Sequence, residues 1–305
     1  MKKVLPLLVA ALLFAFPSNV DARQKARNYK SLGIWGPDSI EGWAQDRINQ
    51  PWDKLDGKTL AGSDYGSGYT VYLIDSGTGA EDCNGHGTMM KSIINGSKYG
   101  IAGSARVVSL KVLGCDGYGS AADIINALNW VEQNANLDQS IINMSLGGPP
   151  NDELDNVVNR LGRKIPIVVA AGNESQYACN RSPARASSAI TVASINPYHL
   201  RSLFSNYGKC VDIWAPGDNI DTTDGSDQRL TVSGTSPSAA LVSASIAIIA
   251  DRDNSTTYDA ALTILRESSD MMVVDGRCLG VKPSILWVRE EPYPWIRISY
   301  PSSLR

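Results

Sequence analysis

The chain has 305 residues, with 31 acidic and 28 basic side chains, so its formal net charge is −3. This near balance excludes a general polyanion binder, which would need a basic excess or a basic stripe. Apolar residues make up 43% of the sequence and charged residues 19%, which is the composition of a globular protein rather than a disordered one.

The N-terminus has the pattern of a secretory signal. Lys2 and Lys3 precede an apolar run over residues 4–16, and small residues follow up to Ala22. The run is too short for a membrane span and has the order of charge, apolar core and small exit that a signal peptide requires. We therefore predict a signal peptide at residues 1–22 and a secreted protein with no membrane partner once the signal is removed.

Residues 23–68 are polar and show no sustained period, whereas the chain from residue 69 onward alternates between strand and helix signals. Strands are predicted at 69–74, 105–113, 140–146, 165–170, 189–193 and 211–214, and helices at 86–95, 120–135, 152–162, 236–251 and 257–267. Strands that alternate with helices predict an α/β domain whose mostly parallel sheet is covered on both faces.

Two chemistry-bearing residues are expected near the carboxyl end of the first strand, where such sheets collect their reacting groups. Asp75 ends that strand in LIDSGTG, although a turn or helix cap would explain an isolated aspartate as well. His86 opens a helix within NGHGT, between two glycines that allow close backbone approach. His199 is the only other histidine, and its polar loop predicts a solvated side chain.

Two further residues complete a reactive set. Ser236 in VSGTSPSAA precedes an apolar helix, where a serine is commonly an N-cap and Pro237 suits the first helical position. The same placement would direct backbone N–H groups at a developing oxyanion. Asn173 in VVAAGNES is either a turn residue or a side-chain donor to that oxyanion. An acid, a base, a nucleophile and a donor together predict nucleophilic acyl transfer.

The motifs VYLIDSG, NGHGT, YGIAGSARVVSLKVL, INMSLGG, VVAAGN, LFSNYGKCVDIWAPG and SGTS follow one another as in the subtilisin-like serine peptidases, and the chain resembles their proteinase K-like branch. The resemblance covers about residues 41–290 and implies the three-layer subtilisin-like fold. It implies a triad of Asp75, His86 and Ser236, with Asn173 and the Ser236 N–H as the oxyanion hole. The implied function is a secreted, monomeric serine endopeptidase that cleaves polypeptides through an acyl-enzyme and binds no nucleic acid.

The resemblance also assigns the residues around this triad. It places the peptide-binding backbone at Gly117, Tyr118, Gly119, Ser145, Leu146 and Gly147, and the pocket for the side chain before the scissile bond at Ala170, Ala171 and Gly172. Since these residues carry no charge, a broad or apolar preference is expected. The branch's disulfides correspond to Cys83–Cys115 and Cys179–Cys210, and Cys278 is left over. The chemistry requires no metal or other cofactor, whereas Asp212 matches a calcium-ligand position of some relatives and leaves a structural calcium ion open.

The sequence departs from the family pattern between the first two triad positions. Only eleven positions separate Asp75 from His86, where the family usually has a much longer segment. Eleven residues can span up to about 36 Å, so an Asp–His contact remains within reach. The shortening predicts that one edge strand of the family's sheet is missing and that a new edge is exposed.

Other departures concern helices and termini. Lys91 occupies a position where the family has a small apolar residue, and Pro237 adjoins the nucleophile. Residues 23–40 are too few for the usual propeptide, and residues 291–305 form a short tail. Three alternatives follow: the chain folds unaided, it folds with a chaperone or proteinaceous inhibitor in trans, or the gene model is incomplete.

Two other functions are alternatives to the peptidase. One is a subtilisin-like pseudoenzyme that acts as a secreted binding protein, which the departures above favour. The other is a lipase or esterase, which requires a Gly-x-Ser-x-Gly elbow and the chain order Ser…Asp…His. The elbow is incomplete, because position 238 is a serine and not the second glycine, and the chain order is Asp75, His86, Ser236. The lipase interpretation is therefore disfavoured.

Overall fold

A computed structural model describes residues 41–49, 55, 57–226, 228–267 and 285–286. The strands are β1 Thr70–Asp75, β2 Arg106–Lys111, β3 Ser140–Met144, β4 Ile167–Ala170, β5 Ile190–Ile195, β6 Ile213–Pro216, β7 Ile220–Thr223 and β8 Arg229–Val232. The helices are α1 Trp43–Arg47, α2 His86–Asn95, α3 Ala121–Asn134, α4 Asp152–Leu161, α5 Thr235–Asp253 and α6 Thr257–Glu267. Each predicted strand and helix is present, with bounds that differ by a few residues.

Six strands form one parallel sheet in the order β2-β1-β3-β4-β5-β6. In β1, Val71 and Leu73 belong to the core on one face, and Tyr72 and Ile74 to the core on the other. A strand with apolar side chains on both faces must be covered twice, which is the behaviour of parallel sheets. The predicted α/β class is confirmed.

The helices divide between the two faces of the sheet. Helices α2, α5 and α6 contribute to one core, and α3 and α4 to the other. Helix α5 is buried from Thr235 to Ala250, so it is surrounded by protein instead of lying on the surface. The resulting order of helices, sheet and helices is the three-layer arrangement expected from the resemblance.

The segment between Asp75 and His86 contains one 3-10 helix, Gly79–Glu81, and no strand, and the structure describes this segment in full. Strand β2 is consequently the edge of the sheet. Arg106 and Lys111, at the two ends of β2, are exposed, and charged side chains are a common protection of an open edge. The structure thus agrees with the predicted loss of an edge strand.

One helix and one pair of strands were not predicted. Helix α1 is buried although it lies in the polar N-terminal stretch, and it is held by long-range bonds: Gly42 N donates to Asp221 Oδ2 (2.9 Å), and Trp43 Nε1 donates to the Asn219 carbonyl oxygen (2.9 Å). Strands β7 and β8 form a separate antiparallel pair.

The domain boundaries remain predictions. Ile285 makes a parallel bridge to Trp214, and Leu286 N donates to the Trp214 carbonyl oxygen (2.7 Å), so the chain near residue 285 joins the β6 side of the sheet. The signal peptide at 1–22, the segment 23–40, Cys278 and the tail 291–305 lie outside the described residues. Within the described ranges, no helix is long and apolar enough to cross a membrane.

Candidate active site

Asp75 and His86 form a hydrogen-bonded pair at the carboxyl end of β1. His86 Nδ1 donates to Asp75 Oδ1 at 2.7 Å, and the aspartate side chain is fully buried. Gly87 permits this approach, because a Cβ at position 87 would collide with the Gly77 carbonyl oxygen and lie 3.3 Å from the Asp75 Cβ. The close backbone approach predicted for the glycines on both sides of His86 is confirmed at Gly87 but not at Gly85, where an added Cβ would meet open space.

Asp82, which the sequence analysis missed, ties the short loop together. Its Oδ1 accepts from Ser76 Oγ and Gly85 N (both 2.8 Å), and its Oδ2 accepts from Thr88 N and Thr88 Oγ1 (both 2.7 Å). Burial alone would raise the pKa of this carboxyl, but the hydrogen bonds from Thr88, Ser76 and Gly85 outweigh burial and lower it. One carboxylate therefore connects the residue after Asp75 to the first turn of α2.

A disulfide anchors the same loop from outside. Cys83 is bonded to Cys115, and Asn84 Nδ2 donates to the Cys115 carbonyl oxygen (3.1 Å). Cys179 is bonded to Cys210. The first bond joins the Asp75–His86 loop to the segment that leads to Gly117.

The electrostatics around His86 favour its protonated form. Burial is the largest single influence and lowers the pKa of the imidazole, but the charge of Asp75, the hydrogen bond to it and the charge of Asp82 together raise that pKa above its usual value. With Nδ1 donating to Asp75, the neutral imidazole presents Nε2 as its acceptor. This is the arrangement of a general base oriented by a carboxylate.

Ser236 lies in the first turn of α5, and its position corrects one prediction. The helix begins at Thr235 with Gly234 as its N-cap, so Ser236 is not the cap and Pro237 is the third helical residue. Proline is tolerated there because the first four N–H groups of a helix have no intrahelical acceptor.

The hydroxyl of Ser236 is hydrogen-bonded to a backbone carbonyl oxygen instead of to the histidine. Ser236 Oγ donates to the Ser145 carbonyl oxygen (3.1 Å), and no hydrogen bond joins it to His86 Nε2 in the described part of the chain. The structure therefore pairs Asp75 with His86 and Ser236 with Ser145. Hydrogen bonds between catalytic groups are often long or misaligned without substrate.

Asn173 faces the N-terminus of α5. Its Oδ1 accepts from Thr235 N (2.9 Å) and Thr235 Oγ1 (3.0 Å), so its Nδ2 remains as the donor. A Cβ at position 234 would lie 3.3 Å from Asn173 Nδ2 and 3.7 Å from Ser236 N. Both nitrogen atoms therefore border the small space that Gly234 leaves open. The oxyanion role of Asn173 stays a prediction.

The predicted peptide-binding segments lie at the same sheet end. Ser145, Leu146 and Gly147 directly follow β3, which pairs with β1. Gly117, Tyr118 and Gly119 form a turn after β2, in which Gly114 N donates to the Tyr118 carbonyl oxygen (2.7 Å). The topology therefore places both segments beside the Asp75–His86 pair.

The predicted pocket segment has a charged neighbour that the sequence analysis missed. Ala170 and Ala171 are buried at the end of β4, and a Cβ on Gly172 would lie 2.7 Å from Glu174 Oε2. The charge of Glu174 is paired with Arg181, whose guanidinium lies 2.8 Å from Glu174 Oε1. An ion pair therefore adjoins the backbone at Gly172. The expectation of a pocket without charge stays a prediction. Glu174 directly follows Asn173 in the sequence, and this adjacency could have indicated a charged residue close to Gly172.

The structure also describes three further residues for which predictions were made from the sequence: His199, Lys91 and Asp212. His199 is half-buried, not solvated, because the buried Arg47 donates through Nε to His199 Nε2 (2.8 Å). Lys91 is half-buried, so its ammonium escapes the full cost of enclosure. At the calcium position, Asp212 Oδ2 accepts from Thr191 N (2.8 Å).

The fit of a calcium ion at Asp212 is limited. No group of three or more His, Cys, Asp and Glu side chains is placed to hold a metal ion among the residues with described coordinates. Asp212 would contribute one carboxylate, and backbone carbonyl oxygens would have to supply the other ligands. A structural calcium ion therefore stays a prediction.

Known proteins are similar to this chain over most of its length. A model of the Subtilase family matches residues 61–276. The chain is 38% identical over 231 residues to an extracellular serine proteinase of Thermus sp. (strain Rt41A), covering 68% of this chain and 56% of the relative. It is 37% identical over 260 residues to alkaline serine exoprotease A of Vibrio alginolyticus, covering 77% of this chain and 48% of that protein.

A solved structure is also similar to this chain. The crystal structure of a cold adapted subtilisin-like serine proteinase superimposes with a TM-score of 0.75 at 34% identity and covers 83% of this chain and 100% of that chain. The chain spans about half the length of the curated relatives that it matches.

Proposed function

From the premise that the chain belongs to the subtilase family, we propose that it is a secreted serine endopeptidase that cleaves polypeptides. The observation that carries the proposal is the 2.7 Å bond between His86 and the buried Asp75, at the same sheet end as Ser236 and Asn173. The extracellular relatives support secretion, and the signal-like residues 1–22 are consistent with it. The Cys83–Cys115 and Cys179–Cys210 bonds support assignment to the proteinase K-like branch.

The proposed reaction begins when Ser236 Oγ turns from the Ser145 carbonyl oxygen toward His86 Nε2. His86 takes the hydroxyl proton while Oγ bonds to the substrate carbonyl carbon, and the buried Asp75 stabilises the resulting imidazolium. Asn173 Nδ2 and Ser236 N donate to the oxyanion. His86 then gives its proton to the leaving amine as the peptide C–N bond breaks, and water releases the acyl group by the same steps.

Substrate binding is proposed to use the backbone of the two peptide-binding segments. An extended substrate would lie as an added strand against Gly117–Gly119 and Ser145–Gly147. The alanines of the pocket and the paired charge of Glu174 favour apolar side chains before the scissile bond. A monomeric state and a folding partner in trans remain predictions.

Hydrolysis of an unstructured polypeptide, with products identified by mass spectrometry, tests the proposal. Ser236→Ala is expected to abolish internal cleavage, whereas Ser245→Ala is expected to retain it, because Ser245 Oγ bonds only to its own helix at the Leu241 carbonyl oxygen (2.7 Å). Full cleavage by a folded Ser236→Ala variant would reject the assignment. No cleavage by the folded wild type would favour a non-cleaving binding protein.

A further inference from the structure

Buried polar side chains connect the middle of helix α5 to its N-terminal turn. Ser243 Oγ donates to Asn143 Oδ1 (2.8 Å), Asn143 Nδ2 donates to Ser145 Oγ (3.0 Å), and Ser145 Oγ donates to the Ser236 carbonyl oxygen (3.0 Å). Asn143 and Ser243 are fully buried, and Ser145 is 2% exposed. Enclosed hydrogen bonds of this kind strengthen one another and leave costly unpaired groups when broken.

The bonds in this network have a fixed direction. A serine hydroxyl has one proton to donate, and an asparagine amide donates through Nδ2 and accepts through Oδ1. Because Ser243 donates to Asn143 Oδ1, the amide must turn its Nδ2 toward Ser145. Ser145 Oγ then accepts from Asn143 and keeps its single proton for the Ser236 carbonyl oxygen.

Ser145 consequently holds Ser236 at two points. Its hydroxyl donates to the Ser236 carbonyl oxygen (3.0 Å), and its own carbonyl oxygen accepts from Ser236 Oγ (3.1 Å). Strand β3 carries Asn143, and Ser145 follows that strand, whereas Ser236 and Ser243 both belong to α5. The network therefore fixes the first turn of α5 against the end of the sheet.

We propose that Ser243 and Asn143 are positioning residues that set the orientation of the nucleophile Ser236 through the hydroxyl of Ser145. The inference rests on the proposed peptidase function. Neither side chain touches the reacting atoms, and each acts by deciding where the Ser145 proton points. Without Ser243, the Asn143 amide can turn over, and the Ser145 hydroxyl can donate to Asn143 Oδ1 instead of to Ser236.

Ser243→Ala in the full chain tests the proposal against the control Ser245→Ala. Both serines are fully buried on the same helix, but only Ser243 bonds to the network. Misplacement of a catalytic group by a fraction of an ångström is expected to lower kcat of Ser243→Ala by about 10-fold at unchanged KM. Ser245→Ala is expected to keep the wild-type kcat. Equal kcat values for both variants and the wild type would overturn the proposal.

A double-mutant cycle separates positioning from a general loss of packing. Ser145→Ala removes the hydroxyl but keeps the carbonyl oxygen that accepts from Ser236. If Ser243 acts through that hydroxyl, adding Ser243→Ala to Ser145→Ala will lower kcat no further, because coupled residues are not additive. Additive losses would overturn the proposal. If Ser243→Ala fails to fold, Ser145→Ala alone decides, and a wild-type kcat would then overturn it.

Wild-type turnover distinguishes failure of the peptidase function from failure of the positioning role. A folded wild type that cleaves no polypeptide refutes the peptidase function, and this inference with it. An active wild type whose kcat is unaffected by Ser243→Ala refutes the positioning role alone and leaves the function intact.

Discussion

The loop before His86 and the helix turn that carries Ser236 are both held in place, but by different forces. The loop is half-exposed and is held by the charge of Asp82 and by the Cys83–Cys115 bond. The helix turn is enclosed and is held by two neutral hydrogen bonds between Ser145 and Ser236, one donated by each residue. Removing the charge of Asp82 or the Cys83–Cys115 bond should therefore displace mainly the loop. Removing a buried hydroxyl should displace mainly the helix turn.

Among the following variants, Gly87→Ala should have the largest effect, because it separates α2 from the loop that follows β1. The added Cβ would collide with the Gly77 carbonyl oxygen, so α2 must move and carry His86 away from Asp75. A displacement near 1 Å is expected to lower kcat/KM by about 100-fold or more. Gly85→Ala is the control: its Cβ meets open space, and only the left-handed backbone (φ 88°) is strained, so the loss of activity should be smaller. Equal losses of kcat/KM in Gly87→Ala and Gly85→Ala would show that close packing at Gly87 is unimportant.

Removing each disulfide separates an effect on stability from an effect on activity. Cys83→Ser with Cys115→Ser opens a loop of 32 positions, and Cys179→Ser with Cys210→Ser opens one of 31. Each pair is expected to lower the free energy of unfolding by about 3 kcal/mol, measured by denaturant titration. Only the first pair should also reduce kcat/KM at a temperature where both proteins are folded. Equal activity of the two variants would contradict a role of the first bond in the loop before His86.

Asp82→Asn should move the pH profile of kcat/KM. His86 must be neutral to accept the Ser236 proton, so activity falls as the pH decreases through the pKa of His86. The charge of Asp82 is one of the influences that raise this pKa, and its removal should shift the acid limb to lower pH. Glu81→Gln removes an exposed neighbouring charge and is expected to leave the limb in place. A shift toward higher pH in Asp82→Asn would contradict the electrostatic assignment.

The smallest expected effect concerns the proposed pocket. Arg181→Ala exposes the charge of Glu174, which should raise kcat/KM by a few-fold for peptides with a basic side chain before the scissile bond, since a partly exposed charge pair contributes about 1 kcal/mol or less. Glu174→Gln in the same background should abolish the gain. A gain that persists without Glu174 would show that another group recognises the basic side chain.

Features that depend on local pattern could be predicted from the sequence. The apolar residues of β1 indicate burial of both faces of the sheet, and the glycine after His86 indicates close backbone contact. The Asp75–His86 pair follows once both residues are placed at one sheet end.

Features that depend on convergence of distant residues could not be predicted. Asp82 gathers four donors only after the loop has closed, and the short helix α1 is held by residues almost 180 positions away. The N-cap of α5 is Gly234, two positions before Ser236, where a serine followed by a proline gives a common N-cap pattern. The direction of the Asn143 amide is likewise fixed only by the folded neighbourhood of Ser243.

The most direct test of the central claim is covalent labelling of the full chain, folded with its disulfides, by a fluorophosphonate probe, followed by mapping of the adduct by mass spectrometry. The account predicts an adduct on Ser236 that disappears in His86→Ala, because the serine reacts only when the histidine removes its proton. A protein with a cooperative melt that carries no adduct, or an adduct that survives His86→Ala, would contradict it.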